Sequence, residues 1–238
     1  MSRPETGTPE RQGVLGEARL RSVPALVGAI VAAFLAVEAL LLGLGWLITR
    51  ALDDSPVHRE ELDFENAVLA HRTPLWDTVS RYGTVLGATA TVAALTAAGC
   101  LVLALRRHGP RLPLFLALAV VGETLLFLLA AVLLDRVRPP IPQLDSAPPT
   151  SSFPSGHTAA SVALWVGLAL GLARTRPGHR LRVLVWAVAV AVPIFVLLSR
   201  LYRGMHWPTD VAASVLFTLT WLLVLRAVLL PAGRAPRR

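Results

Sequence analysis

Lysine is absent from this 238-residue chain, so each of its 23 basic side chains is an arginine, a planar fork of donors in place of a flexible point charge. Cysteine occurs once, at Cys100 within an apolar stretch, which excludes an intramolecular disulfide and a multi-cysteine metal site. Charged residues are scarce at 16%, against 54% hydrophobic residues and a mean hydropathy of +0.60. That balance excludes an ordinary soluble domain and defines an integral membrane protein. Internal repeats and a separate soluble domain are also missing.

What is present is a series of apolar runs, each near the roughly 20 residues that a bilayer span needs. They lie at Ala25–Thr49, Tyr82–Leu105, Leu112–Leu134, Gly156–Ala173, Val183–Ser199 and Val211–Leu230. The expected fold is all-α: a polytopic bundle of six transmembrane helices. The first run is too long for a signal-peptide core of about 7–15 residues and lacks a small-residue cleavage site, so it is expected to be retained. The expected division is a tail over residues 1–22, the membrane domain over 23–232 and a second tail over 233–238.

Arginine placement orients the bundle, because basic short loops stay on the cytoplasmic side. Six spans put both termini on one side, which collects 15 arginines against only Glu5, Glu10 and Glu17. The opposite side carries 8 arginines and 10 acids. The net charge of +8 is thus a topology signal, and nucleic acid is not expected as a partner. The expected location is the plasma membrane, with both termini cytoplasmic.

Three polar segments fall on the other, extracytoplasmic side. They are DRVRPP with Arg136 and Arg138, FPSGHTAAS from Phe153 to Ser161, and SRLYRGMHWPTD from Ser199 to Asp210. Phosphoryl transfer needs a nucleophile, cationic donors around the equatorial oxygens and a proton for the leaving oxygen. Each has a candidate here. His206 and Asp210 are four residues apart, so if that turn is helical the carboxylate accepts one ring N–H and frees the other nitrogen to attack phosphorus. Ser155 is a candidate N-cap for the fourth helix, Gly156 permits close backbone approach, and free N–H groups at a helix start attract phosphate. His157, in the same turn, is placed to protonate the leaving oxygen. Arg138 and Arg200 supply forked donors for a phosphate dianion.

From about Asp63 to Leu230 the chain resembles the type-2 phosphatidic acid phosphatases, whose superfamily also includes bacterial acid phosphatases and vanadium haloperoxidases. The motif P-S-G-H is complete at Pro154–His157, and S-R-x5-H-x3-D is complete at Ser199, Arg200, His206 and Asp210. The resemblance implies a phosphohistidine on His206, acid catalysis by His157, relay by Asp210 and phosphate contacts from Arg138, Ser155, Gly156 and Arg200. It implies no metal and no other cofactor. In the family's K-x6-R-P motif, Arg138 and Pro139 are matched but the lysine position is Ala131. Losing one transition-state donor typically costs about 10²–10³ in rate. Arg136, two residues before Arg138, is the tentative replacement, on the expectation that the stretch is extended and alternate side chains share a side.

The implied activity is hydrolysis of a lipid phosphate or isoprenoid diphosphate, with membrane lipids as the surroundings; phosphatidate and undecaprenyl diphosphate are both reasonable substrates. The alternative, motivated by Ala131, is a catalytically impaired protein that binds or translocates lipid phosphates. Helices of Ala, Leu and Val do not choose between these lipids, and they leave the oligomeric state open. Glu38 and Glu123, near the middles of the first and third runs, are expected to form a hydrogen-bonded pair in the bundle. His58, His71, His108 and His179 are expected to be solvated. Trp46, Trp76 and Trp207 suit the outer interface, and Asp63–Tyr82 reads as either an interfacial amphipathic segment or a loop.

Overall fold

A computed structural model describes residues 23–52, 55–106, 109–146, 150–175 and 178–230. Both expected tails and His108 lie outside the described residues. Among the described residues there are eight α-helices and no strand. They are α1 (Val23–Trp46), α2 (Pro56–Ala70), α3 (Pro74–Gly87), α4 (Thr89–Leu105), α5 (Arg111–Leu133), α6 (Gly156–Leu172), α7 (His179–Tyr202) and α8 (Pro208–Leu229). A π-helical turn, Leu47–Ala51, extends α1.

The helices α1, α5, α6, α7 and α8 are each long and apolar enough to cross a membrane. A sixth span requires α3 and α4 together, and these are bent by 50° at Ala88, whose backbone is extended. The second expected span is therefore a broken one. The protein is multi-pass, and its outer faces present apolar side chains such as Leu35, Leu101, Val132, Leu184 and Leu223.

Local chemistry accounts for where the polar helices start. Ser55 and Thr73 precede prolines at the first helical position, and the Thr73 hydroxyl accepts from the Trp76 N–H at 3.3 Å. These signals divide Asp63–Tyr82 between two helices. The first of them is amphipathic in an inverted sense: α2 buries Glu61 and Glu65, four residues apart, and exposes Val57, Phe64 and Leu69. The segment is helical apart from the short turn at 71–73.

Helix α6 lies at the centre and packs against α3, α4, α5, α7 and α8, while α1 closes the bundle against α5 and α8. Phe115, Leu116, Leu126, Leu164, Phe217, Trp221 and Leu222 fill the interior. Gly122 is required by close packing: a Cβ there would stand 2.3 Å from Cζ2 of Trp221, whose indole N–H reaches the Leu118 and Ala119 carbonyls at 3.2 and 3.1 Å.

Two expectations about the interior change. Glu38 and Glu123 are both buried, but among the described residues neither Glu38 oxygen has a hydrogen-bond partner, and Glu123 reaches only the Thr124 hydroxyl at 3.5 Å. The direct pair is absent. Trp46 and Trp76 are exposed as interfacial residues should be, whereas Trp207 is 4% exposed and donates its indole N–H to the Val137 carbonyl at 2.7 Å.

Candidate active site

A cavity of about 880 Å³ opens between α3, α4, α5 and α6 and the segments joining α5 to α6 and α7 to α8. Arg138, Asp145, His157, Arg200 and His206 line one end. The rest is largely apolar, running past Val92, Phe127 and Leu128 to Cys100. A charged headgroup and an apolar tail would each find a matching wall.

His206 precedes α8 and is buried, so it does not share a helical face with Asp210. Its Nδ1 lies 2.7 Å from the Ser152 carbonyl oxygen and 3.8 Å from Asp210 Oδ2. A carbonyl only accepts, so Nδ1 carries the hydrogen and Nε2 is left with its lone pair. The backbone of Ser152, and not the carboxylate, sets the tautomer. Burial, then the Arg200 and Arg138 guanidiniums, hold His206 well below the usual imidazole range, against the opposing bond to Ser152. The ring is neutral at physiological pH.

Asp210 lies one step behind. As the third residue of α8 it accepts the Trp207 backbone N–H at 3.0 Å, closing a capping interaction that explains why α8 starts at Pro208. The same Oδ2 accepts the Ser152 hydroxyl at 2.5 Å, so the carboxylate reaches His206 through Ser152. Its other oxygen pairs with Arg136.

Arg136 is consequently turned away from the cavity. Its fork bridges Asp210 and Glu61, the latter at 2.8 Å, and also donates to the Thr209 hydroxyl at 2.7 Å. The expected substitution of Arg136 for the missing lysine is not what the structure places here: two buried carboxylates hold its fork, and it does not line the cavity. Ala131 itself is buried, one turn beyond the cavity-lining Phe127 and Leu128. Among the described residues, the arginines lining the cavity are Arg138 and Arg200.

Arg138 is held by the Met205 and Ser151 carbonyls at 2.6 and 3.4 Å, and its buried Nε has no partner among the described residues. Arg200, 3% exposed at the end of α7, donates to Thr84 at 2.8 Å and Asp145 at 2.7 Å, with Nε likewise unpartnered among the described residues. Asp145 also binds Arg203 through two bonds of 2.7 and 2.9 Å. Burial pushes the Asp145 carboxyl up, but bonds from Arg203 and Arg200 and their charges prevail and hold it at about 2. A permanent anion thus sits beside Arg200.

His157 lies in the first turn of α6 and lines the cavity with His206. Ser155 takes the expected N-cap position, yet its N–H donates to Ser214 at 2.8 Å and its hydroxyl meets Thr158 at 3.0 Å. It is engaged inside the protein and does not line the cavity. Gly156 does, but the room freed by its missing side chain is taken by the Phe127 ring, 2.9 Å from where a Cβ would stand.

The structure therefore brings Arg138, His157, Arg200 and His206 around one space and places Asp210 behind it. Sequence reasoning missed Glu61, Asp145, Ser152 and Thr209. Ser152 and Thr209 adjoin or lie inside the two motifs and were within reach of it. Glu61 and Asp145 carry no local signal, since each works by meeting an arginine distant in the chain. Of the other histidines, His71 and His179 are exposed and His58 packs on Trp207 with ring centroids 5.0 Å apart.

Behind the site, Glu65 is wholly buried, with neither oxygen hydrogen-bonded among the described residues. Burial raises its carboxyl to about 8; Arg72 opposes this, while Glu61 and Asp210 add to it. An acid whose folded value exceeds its unfolded 4.5 costs nothing below that value, and destabilises increasingly as pH rises toward about 8. Glu65→Gln is expected to raise the melting temperature in detergent by a few degrees at pH 9 and to leave it unchanged at pH 4.5.

The bundle and its cavity define a class: a multi-pass, all-helical membrane protein with paired histidines and arginines at one end of an apolar cavity. The chain belongs to the PAP2 superfamily, whose sequence model matches residues 112–233. A crystal structure described as the first transmembrane PAP2-type phosphatidylglycerolphosphate phosphatase, from Bacillus subtilis, has the same fold with a TM-score of 0.68 at 23% identity, covering 85% of this chain and 94% of that one. Phosphatidylglycerophosphatase B of Escherichia coli K12 is 43% identical over 75 residues, and that of Haemophilus influenzae 37% over 73. These matches span 31% and 30% of this chain, and 26% and 29% of the relatives' lengths.

Proposed function

We propose that this protein is a lipid phosphate phosphatase whose nucleophile is His206. The observation that carries the reading is the 2.7 Å contact from His206 Nδ1 to the Ser152 carbonyl, which leaves Nε2 unprotonated at the cavity's charged end. Nε2 attacks phosphorus, the bond from phosphorus to the lipid oxygen breaks, and His157 gives that oxygen its proton. Water then attacks the phosphohistidine, returning a proton to His157 and releasing inorganic phosphate. Arg138, Arg200 and the α6 backbone at Gly156 bind the transferring group. The reading requires no metal.

The preferred substrate in this reading is phosphatidylglycerophosphate, after the names of the similar proteins, with phosphatidate and undecaprenyl diphosphate behind it. A lipid keeps its tail along the apolar wall toward Cys100 while its phosphate reaches His206. Arginine asymmetry supports an extracytoplasmic site with both termini inside. The absence of the family's lysine at Ala131 favours a second reading, a lipid-phosphate binding protein of low turnover. Detergent-solubilised protein in excess chelator is expected to release phosphate from phosphatidylglycerophosphate at least about tenfold faster than from undecaprenyl diphosphate, with vanadate inhibiting as a mimic of the pentacoordinate phosphorus. Release indistinguishable from a no-protein control across the panel would leave only the binding reading.

A further inference from the structure

Helix α2 contributes nothing to the cavity lining, yet it buries a carboxylate against the machinery behind His206. Glu61 is 5% exposed. One of its oxygens accepts both the backbone N–H of Thr209 at 2.8 Å and the Thr209 hydroxyl at 2.7 Å. Thr209 is the second residue of α8, so Glu61 caps that helix from a different element and places its charge on the positive end of the helix dipole. The other oxygen accepts Arg136 Nη2 at 2.8 Å.

Arg136 thereby bridges two acids, Glu61 through Nη2 and Asp210 through Nη1, with its guanidinium 5.4 Å from the centroid of the Trp207 ring. Asp210 holds the Ser152 hydroxyl, and the Ser152 N–H donates to the Arg136 carbonyl at 2.8 Å. The Ser152 carbonyl in turn holds His206. A fork bound at both tips cannot rotate, whereas one bound at a single tip can.

We infer that Glu61 is a positioning residue for His206, acting through Arg136, Asp210 and Ser152 without touching substrate. The inference rests on the phosphatase reading for its kinetic test only. Glu61 also places its carboxylate against Arg136, at the far end of the chain of contacts that leads to His206. The ionisable groups around His206 are Asp210, Arg138, Arg200 and His157; those around Glu61 are Arg136, His58 and Glu65. Removing one anion disfavours the imidazolium, so the acidic limb of kcat/KM moves to lower pH. A purely structural loss would lower the rate without moving that limb.

The test uses the full chain in detergent, with Glu61→Gln and Glu61→Asp. Glu61→Gln is expected to lower kcat about tenfold, change KM less than twofold and shift the acidic limb down by about half a unit. Glu61→Asp keeps the charge but retracts it, so the limb should return to its wild-type position while kcat stays several-fold low. A wild-type kcat in either variant, or a lowered kcat in Glu61→Gln with the limb unmoved, overturns the inference. Should Glu61→Gln not fold, the aspartate variant alone decides by its kcat. If the wild-type protein releases no phosphate, the functional reading has failed and the clamp is read separately from the 15N resonances of the His206 ring, assigned by their loss in His206→Gln. Those resonances are expected to shift in Glu61→Asp, and unchanged shifts overturn the clamp.

Discussion

His206→Ala is expected to abolish phosphate release, lowering kcat by about 10⁴ or more while the protein still folds. The imidazole supplies the attacking electron pair in the proposed reaction. Asp210 is wholly buried and tied to Trp207, Ser152 and Arg136. The hydroxyl of Ser152 is directed at Asp210 and not at the cavity. Truncation removes one hydrogen bond from the buried Ser152 carbonyl, at a cost of about 1–3 kcal/mol, which leaves the helix packing of α6, α7 and α8 intact. The measurement pairs phosphate release with the melting temperature in detergent. Residual turnover within tenfold of wild type would assign the nucleophile elsewhere.

The second large effect is expected at Arg136, a residue that forms no wall of the cavity. Arg136→Ala leaves Glu61 and Asp210, 5% and 0% exposed, without their shared cation. Breaking a buried pair by removing one partner costs about 3–5 kcal/mol, and here two carboxylates lose the same partner. Activity should fall with it, because Asp210 no longer has a fixed position from which to hold Ser152. The contrast is with Arg138→Ala, expected to raise KM and lower kcat at nearly unchanged melting temperature, since Arg138 gives up only bonds to two backbone carbonyls. If Arg136→Ala instead raised KM at wild-type stability, Arg136 would be a phosphate ligand after all.

These two residues show how legible the site was in the sequence. Arg138, His157, Arg200 and His206 could be named from motif and spacing, because a site shared among short segments keeps its residues in fixed local registers. Topology put them on one side, since span counting needs only the length and hydropathy of each run. Arg136 was misread for a reason of distance: its partners Glu61 and Asp210 lie 75 and 74 residues away in the chain. Alternation along DRVRPP places a side chain on a side, but it does not reveal which charge waits there. Asp210 does lie near His206, but its hydrogen bond goes to Ser152. Four-residue spacing implies a shared helical face, and α8 begins only at Pro208 because Asp210 spends itself capping Trp207.

The sequence by itself determined that this is an all-helical membrane protein, where five of its six apolar spans fall to within a few residues, and which two histidines share an end of the bundle. Hydrophobic run length and helix-start chemistry are properties of consecutive residues, so they survive without coordinates. Only the tertiary structure decided the 50° break between α3 and α4, the unpaired state of Glu38 and the burial of the α2 acids. It alone also decided that Ser152 orients His206 while Asp210 and Glu61 divide Arg136. Each of these is an outcome of competition among groups far apart in the chain. In a buried, low-dielectric interior, such competition is won by whichever charges the packing brings within hydrogen-bonding distance.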